Sequence, residues 1–191
     1  RVHQSDRRHL HEVVERYSPV VEAPGQVDGE PEVLLHHGVT LPGIAAFSYL
    51  TAVRGSEREA FQRALKKEYS DFDIRPRGER NEYVVVTTVA PETPYNLRAI
   101  GSDSLASDIR REAITAARDS GETRITARLN LVMDPREAPP AFLMYQAVYR
   151  NGELPPSVDD RRARIAGYFV SAFRVDALVT AIERAKGRQK P

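Results

Sequence analysis

Ile125, Ala127, Leu129, Leu131 and Met133 alternate with Arg124, Thr126, Arg128 and Asn130. Side chains two apart share a face of a strand and no face of a helix, so this stretch predicts a strand with one dry and one polar face. The same period recurs. Ala45, Phe47, Tyr49, Thr51 and Val53 fall on one face of a strand, and residues 82–89 are a run of Tyr, Val and Thr suited to a pleated surface. Residues 142–149 and 165–173 predict two further strands, and residues 72–74 a short one.

Helical periodicity lies between and around these strands. Leu10, Val13, Val14 and Tyr17 recur at i, i+3, i+4 and i+7, which predicts an amphipathic helix over the first 17 residues. Pro19, Pro24, Gly25, Gly29 and Pro31 then break the pattern, and residues 33–35 begin a short helix before Pro42. Ser56 and Glu59 have the spacing of a capping box, followed by a helix that buries Phe61, Leu65 and Tyr69. Residues 75–80 form a charged turn and residues 91–101 an irregular loop. Ser107 or Asp108 caps the next helix, which carries Ile109, Ala113, Ala116 and Ala117 and stops at Gly121. Pro155, Pro156 and the charges of residues 159–164 predict a polar loop, and Leu178, Val179 and Ile182 a last helix. Helices that precede runs of antiparallel strands indicate an α+β fold with helices on a sheet face.

Composition narrows the function. A chain of 191 residues makes one domain, or two small ones sharing a core. With 28 Lys and Arg against 27 Asp and Glu, the net charge of +1 gives no field to hold a polyanion, and no nucleic acid partner is expected. The absence of Cys removes disulfides, thiol nucleophiles and Cys-ligated metals. No apolar run approaches the roughly 18 to 20 residues that cross a bilayer. The sequence begins at Arg1 without Met or a signal-peptide pattern and reads as an excised fragment, its bias from Lys to Arg suggesting a bacterial source. No nucleophile elbow, phosphate loop, dinucleotide fingerprint or zincin motif is present, so the fragment is not expected to be an enzyme. His3, His9, His11, His36 and His37 all lie in the first fifth of the chain with spacings that suit a shared metal poorly, and neither metal nor cofactor is expected.

One carboxylate has an address of interest. Asp103 ends the irregular segment 96–103, between a strand and a helix, where a side chain can face a cavity. It can equally be a loop Asp that caps the amides of Leu105 and Ala106. Pocket candidates also follow from strand geometry: Tyr83, Val85 and Thr87 on one face, Ile125, Ala127 and Leu129 on another, and Met144, Gln146 and Val148 on a third. Alternation does not say which set faces helices and which a ligand, and for each apolar residue plain core is the competing reading.

Residues 96–103, followed by Arg110, Arg111, Glu112 and Ala113 and then by Ala117, Arg118, Asp119, Ser120 and Gly121, resemble the core motif of CHASE domains. Residues 42–50 with Val53, Glu57, Arg58 and Phe61, residues 83–91, and residues 165–169 with Phe173, Arg174 and Leu178 fit the same family in the right order. The chain departs from it at Val85-Val86 and Ala147-Val148, where the family often has Pro-Val, and in the Pro- and Gly-rich residues 18–41. The resemblance implies a helical stalk (1–41) followed by two PAS-like antiparallel-sheet subdomains (42–180) and a linker toward a membrane segment (181–191). It further implies an extracytoplasmic sensor in an integral membrane receptor with a kinase or cyclase output, taking a small-molecule ligand. By analogy with the plant cytokinin receptors, Asp103 would bond the ligand and Ile125 line its pocket. An ionised Asp only accepts, so it would select N–H or ammonium donors. Thr126 would add a directional polar group. The stripe from Leu10 to Tyr17 would join a homodimer, and the competing reading is a ligand-free dimerisation and spacing module.

Overall fold

A computed structural model describes residues 43–67, 69–135 and 137–187. The chain opens with strand β1 (Ile44–Arg54), a one-turn 3-10 helix (Gly55–Glu57) and helix α1 (Arg58–Leu65), then returns in β2 (Glu82–Ala90). A single turn, α2 (Pro94–Leu97), and a second 3-10 turn (Ser104–Ala106) lead to α3 (Asp108–Ser120). The remainder is β3 (Arg124–Ile125), β4 (Ala141–Tyr149), α4 (Val158–Arg164), β5 (Ile165–Arg174) and α5 (Val175–Gly187).

The strands form one antiparallel sheet in the order β2-β1-β5-β4-β3. The fold is therefore α+β as expected, but the second sheet of a two-subdomain arrangement is not found among the described residues. The proposed stalk, the stripe of Leu10, Val13, Val14 and Tyr17, and all the histidines lie outside the described residues. No helix among the described residues is long and apolar enough to cross a membrane.

Alternation decides what the sheet buries. Leu143, Tyr145 and Ala147 of β4 and Tyr168, Val170 and Ala172 of β5 face inward, where α3 packs Ala113, Ile114 and Ala117 against β4. Their neighbours face out. Phe47 pairs with Ser171, Tyr49 with Phe169, Phe142 with Phe173, and Ile125 with Met144, so these side chains share the opposite face. Phe142 and Phe173 stack there at 4.9 Å, while Phe169 is 54% and Ile125 57% exposed. At the β2 edge, residues 101–103 act as a short added strand: Val86 donates to Ser102 O (3.0 Å) and Gly101 to Val86 O (2.9 Å), so β2 does not present a bare edge.

Several predicted elements change on folding. The long strand proposed for residues 125–133 shrinks to Arg124–Ile125, with a lone bridge from Leu129 to Ala141 after the pairing slips by one residue. Its dry face also inverts at the start. Thr126 is buried because its amide donates to Leu143 O (2.9 Å) and its Oγ1 accepts from Leu143 N (3.0 Å), which turns Ile125 and Ala127 outward. Leu131 and Met133 are buried as expected, but in a turn. Ser56 lies within a 3-10 turn rather than at a cap, and α1 has no side-chain cap. No strand forms at residues 72–74; the pairing falls on Arg75, which bridges Ser102. The irregular loop contains α2, where Thr93 Oγ1 accepts from Asn96 N (3.1 Å). The charges at 159–164 are a helix, not a loop, capped by Ser157 through Asp160 N (3.1 Å). Gly121 ends α3 as expected, with φ of 76° and its amide on Ala117 O.

A cluster of charge joins α3 to α4. Arg162 Nη2 donates to Asp119 Oδ2 at 2.6 Å, Arg118 Nε to Oδ1 at 2.9 Å, and Arg161 Nη1 to the Asp119 carbonyl at 2.7 Å. The Arg162 bond first, then Arg118, hold the Asp119 carboxyl at about 2, below its usual range, although partial burial opposes them. Its folded value lies below its unfolded one, so the stability it contributes is complete above about pH 4 and is lost as pH falls toward 2. Urea denaturation of Asp119→Asn is therefore expected to show a flatter loss of stability between pH 4 and 2 than the parent chain. Parallel acid limbs would overturn this.

Candidate functional site

The turn after β1 brings two distant pieces of chain into backbone contact. Gly55 N donates to Asn81 O at 2.7 Å, and a Cβ at Gly55 would lie only 2.3 Å from Arg80 O, so a side chain at position 55 would push the two segments apart. This contact forms an open cleft of about 520 Å³. One wall is the β1–α1 turn, contributing Arg54, Ser56, Arg58 and Glu59, and the other is the segment Glu79, Arg80 and Asn81.

Tyr83 lies beneath the cleft, only 1% exposed, and is held by its hydroxyl. Its hydroxyl donates to Gly78 O (2.8 Å) and accepts from Arg80 N (2.9 Å). The Arg58 and Arg80 guanidinium carbons lie 5.8 and 5.7 Å from its ring centroid, within reach for a cation–π contact. Arg80 Nη1 is also 3.3 Å from Asp103 Oδ2, and Asp103 has no exposed side-chain surface. Asp103 Oδ1 accepts from both Val84 N and Leu105 N at 3.0 Å. Burial pushes the carboxyl up, while the two amides, Arg80 and Arg111 pull it back. Asp103 thus has the geometry of the loop-capping alternative: it holds the Ser104–Ala106 turn and ties it to β2.

The other predicted residues separate. Val85 and Thr87 are in the core, where Thr87 Oγ1 is 3.1 Å from Thr51 Oγ1 and donates to Tyr49 O. Thr126 is committed to the β3–β4 ladder, Leu129 packs half-buried on the core, and Ile125, Ala127 and Met144 lie toward the opposite sheet edge, with Ile125 and Met144 paired on the outer face. Four strand spacings, about 19 Å, separate that edge from β2. A small ligand beside Tyr83 cannot also reach Ile125. Arg54, Arg58 and Arg80 were not among the predicted residues, because only the fold brings together two turns that read separately as a cap and a charged loop.

The segment bearing Asp103 and the strands around it are the ones whose sequence resembles the sensory family, and that family's model matches residues 34–190, most of the chain. The chain belongs to the CHASE domain family. CHASE domains are sensory domains of signalling receptors, typically extracellular. A comparison with curated proteins found no match. Within this CHASE domain β1 joins the cleft to the last helix. Arg54, at one end of β1, lines the cleft. At the other end, Gly43 O accepts from Arg174 N (2.9 Å), and Gly43 packs on Leu178 of α5.

Proposed function

We propose that this CHASE domain is the extracytoplasmic, non-catalytic small-ligand sensor of a transmembrane receptor with a kinase or cyclase output. We further propose that its ligand binds in the Tyr83 cleft. The observation that carries the reading is the cleft itself, an open hollow with convergent polar and charged groups on a buried aromatic floor, set at one end of a strand whose other end meets the last helix. β1 has 11 residues, so it spans roughly 36 Å and can pass a small displacement from Arg54 to Gly43 and α5.

The test is a thermal-shift screen of the chain against amino acids, carboxylic acids, phosphates and purines, with and without Arg54→Ala, a change at an exposed position of the cleft wall. A ligand at about 100 times its Kd is expected to stabilise by about 2.7 kcal/mol, and the shift is expected to vanish in the variant. With a ligand found, spin labels at Glu92→Cys and Ala177→Cys, in a chain with no other Cys, should change separation on binding. Cooperative melting with no shift from any class would count against the sensor reading.

A second reading, a dimerisation and spacing module, is favoured by the outward apolar face that carries Phe47, Phe169 and Ile125. A dimer in light scattering that Phe169→Ser dissociates, together with silence in the ligand screen, would select it.

A further inference from the structure

We infer that the cleft takes a small ligand bearing a carboxylate or phosphate group, an inference that rests on the sensor reading of the same cleft. The cleft is lined by three guanidiniums, Arg54, Arg58 and Arg80, and two carboxylates, Glu59 and Glu79. Glu59 already pairs with Arg63 at 3.5 Å, and Arg80 is partly neutralised by Asp103 at 3.3 Å. Among the described residues neither Arg54 nor Arg58 has an ion-pair partner, which leaves two uncompensated guanidiniums against one free carboxylate, Glu79.

Arg58 adds a second observation. Its Nε is buried without a hydrogen-bond acceptor, an arrangement that costs free energy unless an acceptor arrives. Its guanidinium lies 5.8 Å from the centroid of the Tyr83 ring, which Gly78 and Arg80 hold in place, and a turn of the side chain toward the cleft would bring Nε to an acceptor there. A planar donor fork with an unused edge matches a carboxylate or phosphate, which can accept two parallel bonds.

The experiment is calorimetric titration of the full chain with inorganic phosphate and with malonate, glycerol and glycinamide serving as neutral and cationic controls, all at one ionic strength set with NaCl. Phosphate or malonate is expected to bind saturably. Arg58→Gln should weaken it by about ten- to a hundredfold, the value of one or two charge-assisted bonds. Glu79→Gln, at an exposed position, should tighten it several-fold, so the inference stays testable even if Arg58→Gln melts early. Binding of glycerol or glycinamide that survives Arg58→Gln would leave the sensor reading in place and overturn the anion. Anion effects that NaCl reproduces, or that neither variant changes, would overturn it too. Silence from every class in the wider screen would remove the sensor reading itself.

Discussion

Asp103→Ala is expected to cost about 2 to 4 kcal/mol of folding stability, measured by urea denaturation at neutral pH, before any ligand is added. The substitution leaves the amides of Val84 and Leu105 without an acceptor in a site from which water is excluded. Each orphaned amide costs about 1 to 3 kcal/mol, and removal of a buried charge returns part of that. Arg80, 29% exposed, loses its partner but can turn to solvent. Asp103→Asn keeps an acceptor for both amides and should lose less. The pH dependence runs opposite to that of Asp119. Burial raises the folded value of Asp103 above the unfolded one, so its contribution falls as pH rises from about 4 through the raised value, and Asp103→Asn removes that slope. A variant that keeps full stability yet loses a ligand would overturn this account and return Asp103 to the pocket.

The family resemblance made Asp103 the first ligand contact, and the reason it was hard to place is physical. An Asp after an irregular segment and before a helix has the same local sequence whether it faces a cavity or caps a turn. What distinguishes the two is whether Val84, 19 positions away, lends its amide. Elements set by local pattern were legible: the alternation in β4 and β5, the stripe of Phe61 and Leu65, and the stop at Gly121. Misreadings arose where a polar group found a partner far along the chain. Thr126 is buried against the expected alternation because Leu143 satisfies both its amide and its hydroxyl. The charged segment after Ser157 reads as solvated loop until Arg161 and Arg162 are seen to anchor on Asp119, 42 and 43 residues earlier. The cleft was illegible for the same reason, since it depends on Gly55 touching Arg80 and Asn81.

Asp134→Ala should be the most costly substitution outside the apolar core, at about 3 to 5 kcal/mol, because it strands a largely buried guanidinium. The Asp134 side chain has no exposed surface and that of Arg174 is 19% exposed. Both Arg174 terminal nitrogens donate to the carboxylate, Nη1 at 2.7 Å, and Tyr95 and Leu131 N (2.9 Å) complete its shell. Arg174 also donates to Pro139 O at 2.9 Å and to the Tyr95 hydroxyl at 3.1 Å. Burial pushes the Asp134 carboxyl up, but Arg174, Tyr95 and the Leu131 amide together outweigh it and hold the group below its usual range. Its stabilisation is therefore present above about pH 4 and lost on acidification, and Asp134→Asn should flatten that loss while keeping part of the shell. The location matters more than the magnitude. Arg174 is the last residue of β5, its amide bonds Gly43 O, and α5 begins at the next residue, where Val175 N donates to Pro140 O at 3.1 Å. The cluster thus ties down the junction at which α5 leaves the sheet, the point where the proposed sensor would pass its signal on. Hydrogen exchange should show α5 and the start of β1 losing protection in Asp134→Ala before the rest of the sheet. Uniform loss across all strands would mean that the cluster supports the fold as a whole, and the junction would have no separate role in transmitting the state of the cleft.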